Sequence, residues 1–453
     1  MPLVLSFLRR RDAAVLRNHA HYCGIYGYPH QSVDAGHIRG DMQSHVYRYN
    51  QMSMRLRSLE EGDWLLMLDG DSVVFKPVEI DVLLEGRESL MVEGPSIAEA
   101  PAELLTNMLA FRNTAANRAL LDAVSIDLGR AIALESDGFR ESACLRAGGA
   151  LAYNAQLAGL YVNVTWRVIG WYEAEVFIVN LGPLNVTRRC RDLVDVWLHD
   201  QHLQDFLVRR VNAALIHGEA VLKHGAGATQ EAIVDEAMSS YNASARIAFI
   251  TLYTPNIAVY AQVAEQNIKR YCDRHGYAFH VYRAVPPEIG PDVSGNWAKP
   301  WVLRKHMDQH VWVIWIDADM LFTRPDLTID SLLAHKDVLI AGDVGSWRVN
   351  SGLMGFRNTE ENAALLTCLW DTLSEVSNRS DVYSSLGDQH YVNQLLKESG
   401  LDGEDKVLDM ASINTPAFMR DAESLLVHFM GLGEPYRSAY MADVDRSIAA
   451  QET

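Results

Sequence analysis

Two aspartates separated by a single alanine follow a short apolar segment in the C-terminal half of the chain. Asp317 and Asp319 come directly after the run VWVIWI. Six apolar residues are too few for a typical helix, and they suit a central strand that is buried on both faces. In open α/β sheets, ligands bind beyond the carboxyl ends of the strands. The sequence therefore predicts that this carboxylate pair lies at the mouth of a site.

The chemistry expected of such a pair is the binding of a divalent cation. Mg²⁺ and Mn²⁺ prefer oxygen ligands, and they share their coordination shell between one or two carboxylates, water and substrate phosphates. Asp317 and Asp319 could hold such an ion against a diphosphate. An Asp-x-Asp triplet is short, however, and the alternative left open is that the two acids cap the turn after the strand.

The same pattern occurs a second time, 248 residues earlier in the chain. WLLMLDGDSVVFKP, at 64–77, aligns without gaps on WVIWIDADMLFTRP, at 312–325, and pairs Asp69 and Asp71 with the two later aspartates. The segment FRNT at 111–114 also matches 356–359. Matches in the same order with small changes of register indicate a duplicated domain.

The elements around these motifs predict the fold class. Each half begins with an apolar run, LVLSFL or RIAFITLY, followed by a helical stretch that ends near Gly-Tyr and by a second strand. This β-α-β order is typical of a Rossmann-like, mostly parallel sheet covered by helices. A small, polar stretch at 225–245 separates the halves. We therefore expect an α/β protein of two tandem domains, 1–235 and 236–453.

The C-terminal half resembles a known enzyme family. It carries, in order, FITLYTPN, NWAKPWVLRK, WIDADMLF, NSGLMGFRN, GDQHYVNQLL and LLVHFMG, between about Arg246 and Arg437. This series is similar to the retaining GT-A glycosyltransferases that include plant xyloglucan xylosyltransferases and yeast Golgi galactosyl- and mannosyltransferases. The resemblance implies GT-A-like domains and transfer of a hexose or pentose, with retention, from a nucleotide-diphosphate sugar to a glycan acceptor. UDP-sugars are favoured over GDP-sugars, and Mn²⁺ or Mg²⁺ is the implied cofactor.

The resemblance also implies roles for individual residues around the metal and the sugar. Asp317 would face the nucleotide ribose or the metal, and Asp319 and His428 would be metal ligands. Asp388 would stabilise the oxocarbenium-like centre near the anomeric carbon, and Gln389 would position the sugar.

Other residues are expected beside the nucleotide and the donor sugar. Asn350, Ser351 and Gly352 resemble the family's strand-edge segment near the sugar. Thr251 and Tyr253 follow the first strand, where base and ribose contacts are usual, although a tyrosine there can equally serve packing.

A basic residue for the departing diphosphate is less clear. Lys299 either reaches the donor or pairs with a surface acid. The lysine that follows the HF-G element in the xylosyltransferases is replaced here by Gly433, so Arg437 or Lys299 would have to substitute for it.

The N-terminal half keeps only part of this set. Asp69, Asp71 and His224 of VLKHGAG are its candidate metal ligands, but Gly149 and Ala150 stand where the other half has Asp388 and Gln389. It either transfers a different sugar with other residues, which would make the protein bifunctional in polysaccharide or glycoconjugate assembly, or it is a non-catalytic sugar-binding module. The run LLMLDGDSVV also resembles the first motif of haloacid dehalogenase phosphatases, although we find no convincing downstream lysine and acidic pair.

Composition limits the partners and the compartment. The chain has 453 residues and a formal net charge of -18, which argues against nucleic acid as a partner. Its five cysteines are widely spaced and form no paired motif, which suits a reducing compartment. No window approaches the ~20 apolar residues of a transmembrane helix. We expect a cytoplasmic protein, possibly peripheral to the membrane.

Overall fold

The computed structural model describes residues 2–10, 12–93, 104–134, 145, 161–163, 176–181, 201–222, 236–345 and 347–452. The chain divides into two compact units, Met1–Leu222 and Lys223–Thr453. The boundary expected near residue 235 lies outside the described residues. Among the described helices, none is both long enough and apolar enough to cross a bilayer.

The N-terminal unit contains two sheets and five described helices. Its strands are β1 Leu3–Leu8, β2 His30–Asp34, β3 Trp64–Asp69, β4 Ser72–Val74, β5 Ser89–Glu93, β6 Leu104–Arg112, β7 Tyr161–Asn163 and β8 Ile178–Asn180. Its described helices are α1 Ala13–Tyr26, α2 Asp41–Ser58, α3 Ile80–Leu83, α4 Ala115–Ala133 and α5 Gln201–His217. The strand orders are β2-β1-β3-β6-β5 and β4-β8-β7.

The C-terminal unit repeats this plan with one added strand. Its strands are β9 Met238–Tyr241, β10 Ile247–Leu252, β11 Ala278–Tyr282, β12 Trp312–Ile316, β13 Met320–Phe322, β14 Val338–Ala341, β15 Asn350–Arg357, β16 Thr415–Pro416 and β17 Leu426–His428. Its α-helices are α6 Ala258–His275, α7 Lys299–Met307, α8 Asp330–Leu333, α9 Glu360–Ser374, α10 Asp388–Glu398, α11 Met410–Ile413 and α12 Tyr436–Glu452. The strand orders are β14-β15-β12-β10-β11-β9 and β13-β17-β16.

The two units share one topology, as the internal repeat predicts. Reversing the larger C-terminal order gives β11-β10-β12-β15-β14 after the added β9, which matches β2-β1-β3-β6-β5 strand for strand. The parallel and antiparallel pairings also agree, including those of the small sheets. The α/β class is therefore confirmed.

The sheets are mixed, however, and not mostly parallel as the sequence suggested. The parallel pairs of the C-terminal sheet are β10 with β11 and β10 with β12, while β15 runs antiparallel to both β12 and β14. An antiparallel strand needs no crossover helix. The apolar pattern of a strand is the same in either direction, so this pattern alone did not reveal the change of direction.

Helices cover both faces of the C-terminal sheet, which explains the uninterrupted apolar character of its central strands. All five residues of β12 are buried. On one face Trp315 packs in a core with Val302 of α7 and Leu366 of α9. On the other, the ring of Phe249 of β10 lies edge-on to that of Tyr271 of α6, with 6.1 Å between the centroids. Burial of large apolar side chains on both sides holds the carboxyl end of β12 in place.

A buried asparagine fixes the short strand after each Asp-x-Asp motif. Asn267 of α6 accepts a hydrogen bond from the backbone N–H of Phe322 at 2.7 Å and donates to its carbonyl at 3.1 Å. In the other unit, Asn18 makes the same pair of bonds to Val74, at 2.6 and 2.9 Å. The pair was visible in the sequence only as a matched residue of the repeat.

We predict that Asn267→Ala lowers the free energy of unfolding of the C-terminal unit by roughly 2–4 kcal/mol, because two buried backbone groups of Phe322 lose their partner. Urea unfolding followed by circular dichroism measures the change. Asn378→Ala, at an exposed position, is the matched control and should stay within about 0.5 kcal/mol. An Asn267 variant as stable as this control would contradict the bridging role.

Candidate active site

The backbone brings Asp317, Asp319 and His428 together at the carboxyl end of β12. The N–H of Asp317 donates to the carbonyl of Gly352 at 2.8 Å, which anchors the turn to β15. Pairing of β13 with β17 sets Met320 opposite His428. One ligand atom from each of the two aspartates and the histidine lies within 4.8 Å of the others. The structure thus brings together the three residues predicted to bind the metal.

The hydrogen bonds of His428 determine which of its ring nitrogens is free to bind a cation. Asn414 donates through its Nδ2 to the Gly342 carbonyl at 3.1 Å, so its Oδ1 is the acceptor that faces His428 Nδ1 at 2.9 Å. In the neutral ring, Nδ1 therefore carries the proton and Nε2 presents a lone pair. That lone pair faces Asp319 Oδ1 at 3.1 Å. Two acceptors this close require a proton or a metal ion between them, and the donor set fits a divalent cation.

Arg437 holds the second oxygen of Asp319. Its Nη1 lies 3.1 Å from Asp319 Oδ2, its Nε donates to the Leu432 carbonyl, and its guanidinium lies over the ring of Tyr260. Burial alone would raise the pKa of Asp319, but the adjacent His428 and Arg437 lower it below its ordinary range. Asp319 is therefore ionised at neutral pH.

Lys299 lies between two carboxylates at the first position of α7. Its Nζ is 3.1 Å from Asp317 Oδ1 and 3.0 Å from Asp388 Oδ2. Burial by itself would lower the pKa of Lys299, but the charges of Asp317 and Asp388 raise it above its ordinary value. Burial raises the pKa of Asp317, and Lys299 opposes that shift. The lysine is only 3% exposed, so its partners are buried acids of the site and not surface acids.

Asp388 and Gln389 begin α10 and contact the strand-edge segment. Asp388 Oδ2 accepts from Ser351 Oγ at 3.0 Å, and its Oδ1 accepts from Asn296 Nδ2 at 3.2 Å. Gln389 Oε1 accepts from the Ser351 N–H at 3.2 Å, and its Nε2 donates to Asp343. The structure therefore places the two predicted sugar-contacting residues against the predicted segment.

The site is short of positive charge. Three carboxylates pair with the cationic side chains of Lys299 and Arg437, and a fourth lies beside them on the amides of Gln389 and Asn350, so with a neutral His428 the carboxylates exceed the cations by two charges. A bound divalent cation would balance them, which is a second reason for the fit. The carboxylates are those of Asp317, Asp319, Asp343 and Asp388.

Gly352 lies where a larger residue would not fit. A Cβ there would lie 2.6 Å from His428 Cε1 and 2.8 Å from Asn350 Oδ1. The Asn350 oxygen accepts from the Gly352 N–H, while its amide donates to Asp343 Oδ1 at 2.7 Å. The small residue thus lets β15 approach His428.

Thr251 and Tyr253, expected beside the nucleotide, are both buried. Tyr253 is 2% exposed, and its hydroxyl donates to Glu265 Oε2 at 2.6 Å. A cavity of about 480 Å³ lies just beyond them, past the carboxyl ends of β10 and β11. Its lining is Thr254, Pro255, Ala284, Val285, Pro287, Gly290, Pro291, Asp292 and Val293.

The N-terminal unit places a buried arginine on the first aspartate of its motif. Arg48 of α2 is 3% exposed, and its Nη1 lies 3.0 Å from Asp69 Oδ2. Burial raises the pKa of Asp71 to about 6, and the charge of Asp69 adds to this shift. Arg48 precedes β3 as Lys299 precedes β12, so both units neutralise the first aspartate with a cation from the preceding helix.

In the N-terminal unit, Asn180 occupies the position equivalent to that of His428. Ser72 of β4 pairs with Asn180 as Met320 pairs with His428, and the N–H of Leu181 donates to the Asp71 carbonyl as Phe429 does to Asp319. His224, Gly149 and Ala150 lie outside the described residues. Strand register therefore aligns FIVNLG with LLVHFMG, whereas the sequence comparison had used the shorter match of VLKHGAG.

Several site residues were not singled out from the sequence. Asn414 fixes the tautomer of His428. Asp343 accepts hydrogen bonds from Asn350 and Gln389, and Asn296 donates one to Asp388. Asn296 lies in the NWAKP motif and could have been found there. The other two lie in loops, where only the folded chain brings them to the site.

Comparisons with known proteins agree with this geometry. Residues 248–341 match the model of the galactosyl transferase GMA12/MNN10 family. "Probable glycosyltransferase 3" of Oryza sativa subsp. indica is 28% identical over 184 residues, which are 38% of this chain and 34% of the relative. The chain thus matches about a third of the relative's length. These matches confirm the resemblance to glycosyltransferases predicted from the motifs.

Two solved structures are similar at low identity. A glycosyltransferase involved in the glycosylation of the major capsid of PBCV-1 shares 17% identity, with 45% of this chain and 98% of that chain covered and a TM-score of 0.33. The galactosyltransferase LgtC, solved with donor and acceptor sugar analogs, shares 13% identity over 45% of this chain and 95% of that chain, with a TM-score of 0.33.

We predict that Gly352→Ala weakens Mn²⁺ binding by at least about tenfold, because the added methyl group displaces the His428 ring. Calorimetric titration with Mn²⁺ measures the affinity. Gly129→Ala is the control, since a Cβ there meets open space within α4. Unchanged Mn²⁺ affinity in a folded Gly352→Ala protein would show that His428 is not a ligand.

Proposed function

We propose that the C-terminal unit is a metal-dependent glycosyltransferase domain. It transfers a hexose or pentose from a nucleotide-diphosphate sugar, with UDP favoured and GDP possible, to a glycan acceptor with retention of configuration. The observation that carries this proposal is that Asp317, Asp319 and His428 each bring a ligand atom within 4.8 Å of the others at the carboxyl end of a central strand, with His428 Nε2 3.1 Å from Asp319 Oδ1. Such a group of ligand atoms can bind a cation, and the bound cation can in turn bind a diphosphate.

Asp317, Asp319 and His428 would hold Mn²⁺ or Mg²⁺. A divalent cation stabilises the negative charge that develops on the departing diphosphate by several kcal/mol, without proton transfer. Asn414 keeps the histidine in the tautomer that this role needs. Asp317 Oδ1 pairs with Lys299 and accepts a hydrogen bond from Trp315 Nε1. These two contacts fix the direction of its second oxygen.

The sugar end of the site depends on Asp388. Its carboxylate is 7% exposed and is held by Lys299, Ser351 and Asn296. These three donors fix the position of the carboxylate. A fixed negative charge beside the anomeric carbon would stabilise oxocarbenium character, as preorganised groups do. The acceptor hydroxyl would then attack from the face that the diphosphate leaves.

Arg437 is the residue that we assign to the diphosphate in place of the family's lysine. It is held by the Leu432 carbonyl and by the ring of Tyr260, so its guanidinium is oriented toward the metal ligands. Arginine binds phosphate oxygens through two parallel N–H groups. A cation bound at Asp319 would release Arg437 from that carboxylate and leave it free to pair with phosphate.

We assign the nucleoside to the neighbouring cavity of about 480 Å³. β10 and β12 are parallel neighbours, so the cavity beyond β10 and the aspartates beyond β12 lie at the same edge of the sheet. This edge is where nucleotides bind in open α/β sheets.

The N-terminal unit is better described as a binding module than as a second transferase. Arg48 occupies one oxygen of Asp69, and Asn180 replaces the metal-binding histidine. Arg48 on Asp69 has its counterpart in Lys299 on Asp317, so it is the amide in place of the imidazole that removes one of the three ligands. The unit could still bind a sugar at the edge of its sheet.

We predict that the protein binds UDP or GDP at its C-terminal site only when a divalent cation is present, because the phosphates would otherwise face Asp317 and Asp319 directly. Calorimetry in Mn²⁺ and in EDTA tests this, and Asp319→Ala should bind as weakly in Mn²⁺ as the native chain does in EDTA. Equal, tight binding in EDTA would contradict a metal-bridged site.

We also predict that the halves respond differently to loss of an aspartate. Asp388→Ala should abolish sugar transfer while leaving donor affinity within a few-fold, as befits a residue that acts mainly in the transition state. Asp71→Ala should leave that transfer largely intact. Asp371→Ala, an exposed position on α9, is the control. Products on a glycan acceptor are resolved by mass.

The reverse result would relocate the active site. Loss of all transfer in a folded Asp71→Ala protein, with transfer retained in Asp388→Ala, would identify the N-terminal unit as the catalytic one.

A further inference from the structure

Three buried histidines meet where β11, α7 and the turn before β12 come together. His280 lies in β11, His306 in the last turn of α7, and His310 in the turn before β12, and they are 1%, 4% and 4% exposed. One ring nitrogen from each lies within 4.8 Å of the others. His310 precedes β12 and Asp317 follows it, and the five residues of the strand between them span roughly 16 Å. The cluster is therefore separate from the site described above.

The outer ring nitrogen of each histidine is paired with an oxygen of the protein. His280 Nδ1 lies 2.8 Å from Ser240 Oγ, His310 Nδ1 lies 2.7 Å from the Ala245 carbonyl, and His306 Nε2 lies 2.7 Å from the Tyr282 hydroxyl. Metal-ligating histidines almost always have such a partner on the nitrogen that does not bind the metal, because it fixes the tautomer and the ring orientation.

Two of the inner nitrogens face each other, and the third has no partner. A carbonyl can only accept, so His310 Nδ1 carries a proton and its Nε2 presents a lone pair, 3.0 Å from His280 Nε2. Among the described residues, His306 Nδ1 has no hydrogen-bond partner although it is fully buried. An unpartnered buried polar atom costs about 1–3 kcal/mol unless something satisfies it.

We propose that His280, His306 and His310 form a transition-metal site, with Zn²⁺ as the ion that the ligand set fits best. Three imidazole nitrogens and one further position suit Zn²⁺ far better than Mg²⁺ or Mn²⁺. Two nitrogens at about 2.0–2.1 Å from a tetrahedral ion lie roughly 3.3 Å apart, close to the 3.0 Å between His280 and His310. The ion would also satisfy His306 Nδ1.

His280 and His306 contact each other directly. Their rings are stacked with 3.9 Å between centroids, so a shared ion requires one of them to turn about its Cβ–Cγ bond. The ion would join β11, α7 and the turn before β12.

The site also distinguishes the two units. Strand register and the repeat place Gln31 of β2 at the position of His280. The N-terminal unit has the same sheet without this ligand, so the metal is not a requirement of the fold. We expect it to stabilise the C-terminal unit specifically.

Zinc uptake by the full chain tests the proposal, in a protein carrying Asp319→Ala and His428→Ala so that the carboxylate site cannot contribute. After equilibrium dialysis against Zn²⁺, mass spectrometry of the metal should give one zinc per folded chain. Zinc should raise the Tm, and EDTA should reverse the rise. Adding His306→Gln should weaken binding by at least about a hundredfold, and Ser240→Ala, which keeps all three ligands, by about tenfold.

His335→Asn is the matched control, because His335 is exposed and has φ 61°, a conformation that asparagine tolerates. It should leave zinc uptake and the Tm shift unchanged. No zinc bound to the folded double variant would overturn the proposal. So would zinc binding that survives both His306→Gln and Ser240→Ala. If His306→Gln fails to fold, the Ser240→Ala affinity decides the outcome by itself.

Discussion

One ammonium group holds together the two ends of the candidate active site. Asp317, at the end of β12, and Asp388, at the start of α10, are about 70 residues apart in the chain, and both lie within about 3 Å of Lys299. Each carboxylate would be costly to bury alone, and the single cation compensates both. Removing one member of a buried ion pair typically costs 3–5 kcal/mol, because it leaves an uncompensated charge. Lys299 therefore links the carboxylate that we propose for the metal to the one that we propose for the sugar.

The duplicated frame shows how the same topology supports different chemistry. In the N-terminal unit, Arg48 takes the place of the lysine, and the strand opposite β4 presents Asn180 where the C-terminal unit presents His428. The hydrogen bonds that set this frame, from Asn18 in one unit and Asn267 in the other, are the same. The frame is thus determined by buried backbone partners, while the site is determined by a few side chains that the frame does not constrain.

The sequence predicts the frame better than the site. The apolar runs and the Asp-x-Asp spacing were sufficient to place Asp317 and Asp319 at a strand end, because periodicity and burial are local properties of the chain. The equivalent of His428 in the other half could not be placed in this way. It depends on the pairing of β4 with β8, about a hundred residues further along, and short motifs match by chance at that distance. Asn414 was equally invisible, since a loop residue acquires its role only when the fold brings it to a ring nitrogen.

The two ligand clusters of the C-terminal unit differ in the ions that they select. Asp317 and Asp319 offer hard oxygen ligands with one imidazole, whereas His280, His306 and His310 offer nitrogen alone. Zn²⁺ binds most protein ligand sets more tightly than Mn²⁺, so affinity by itself would not keep zinc away from the carboxylates. The proposed cluster of three imidazoles has the stronger preference for zinc. We therefore expect limiting zinc to fill it before the proposed carboxylate site.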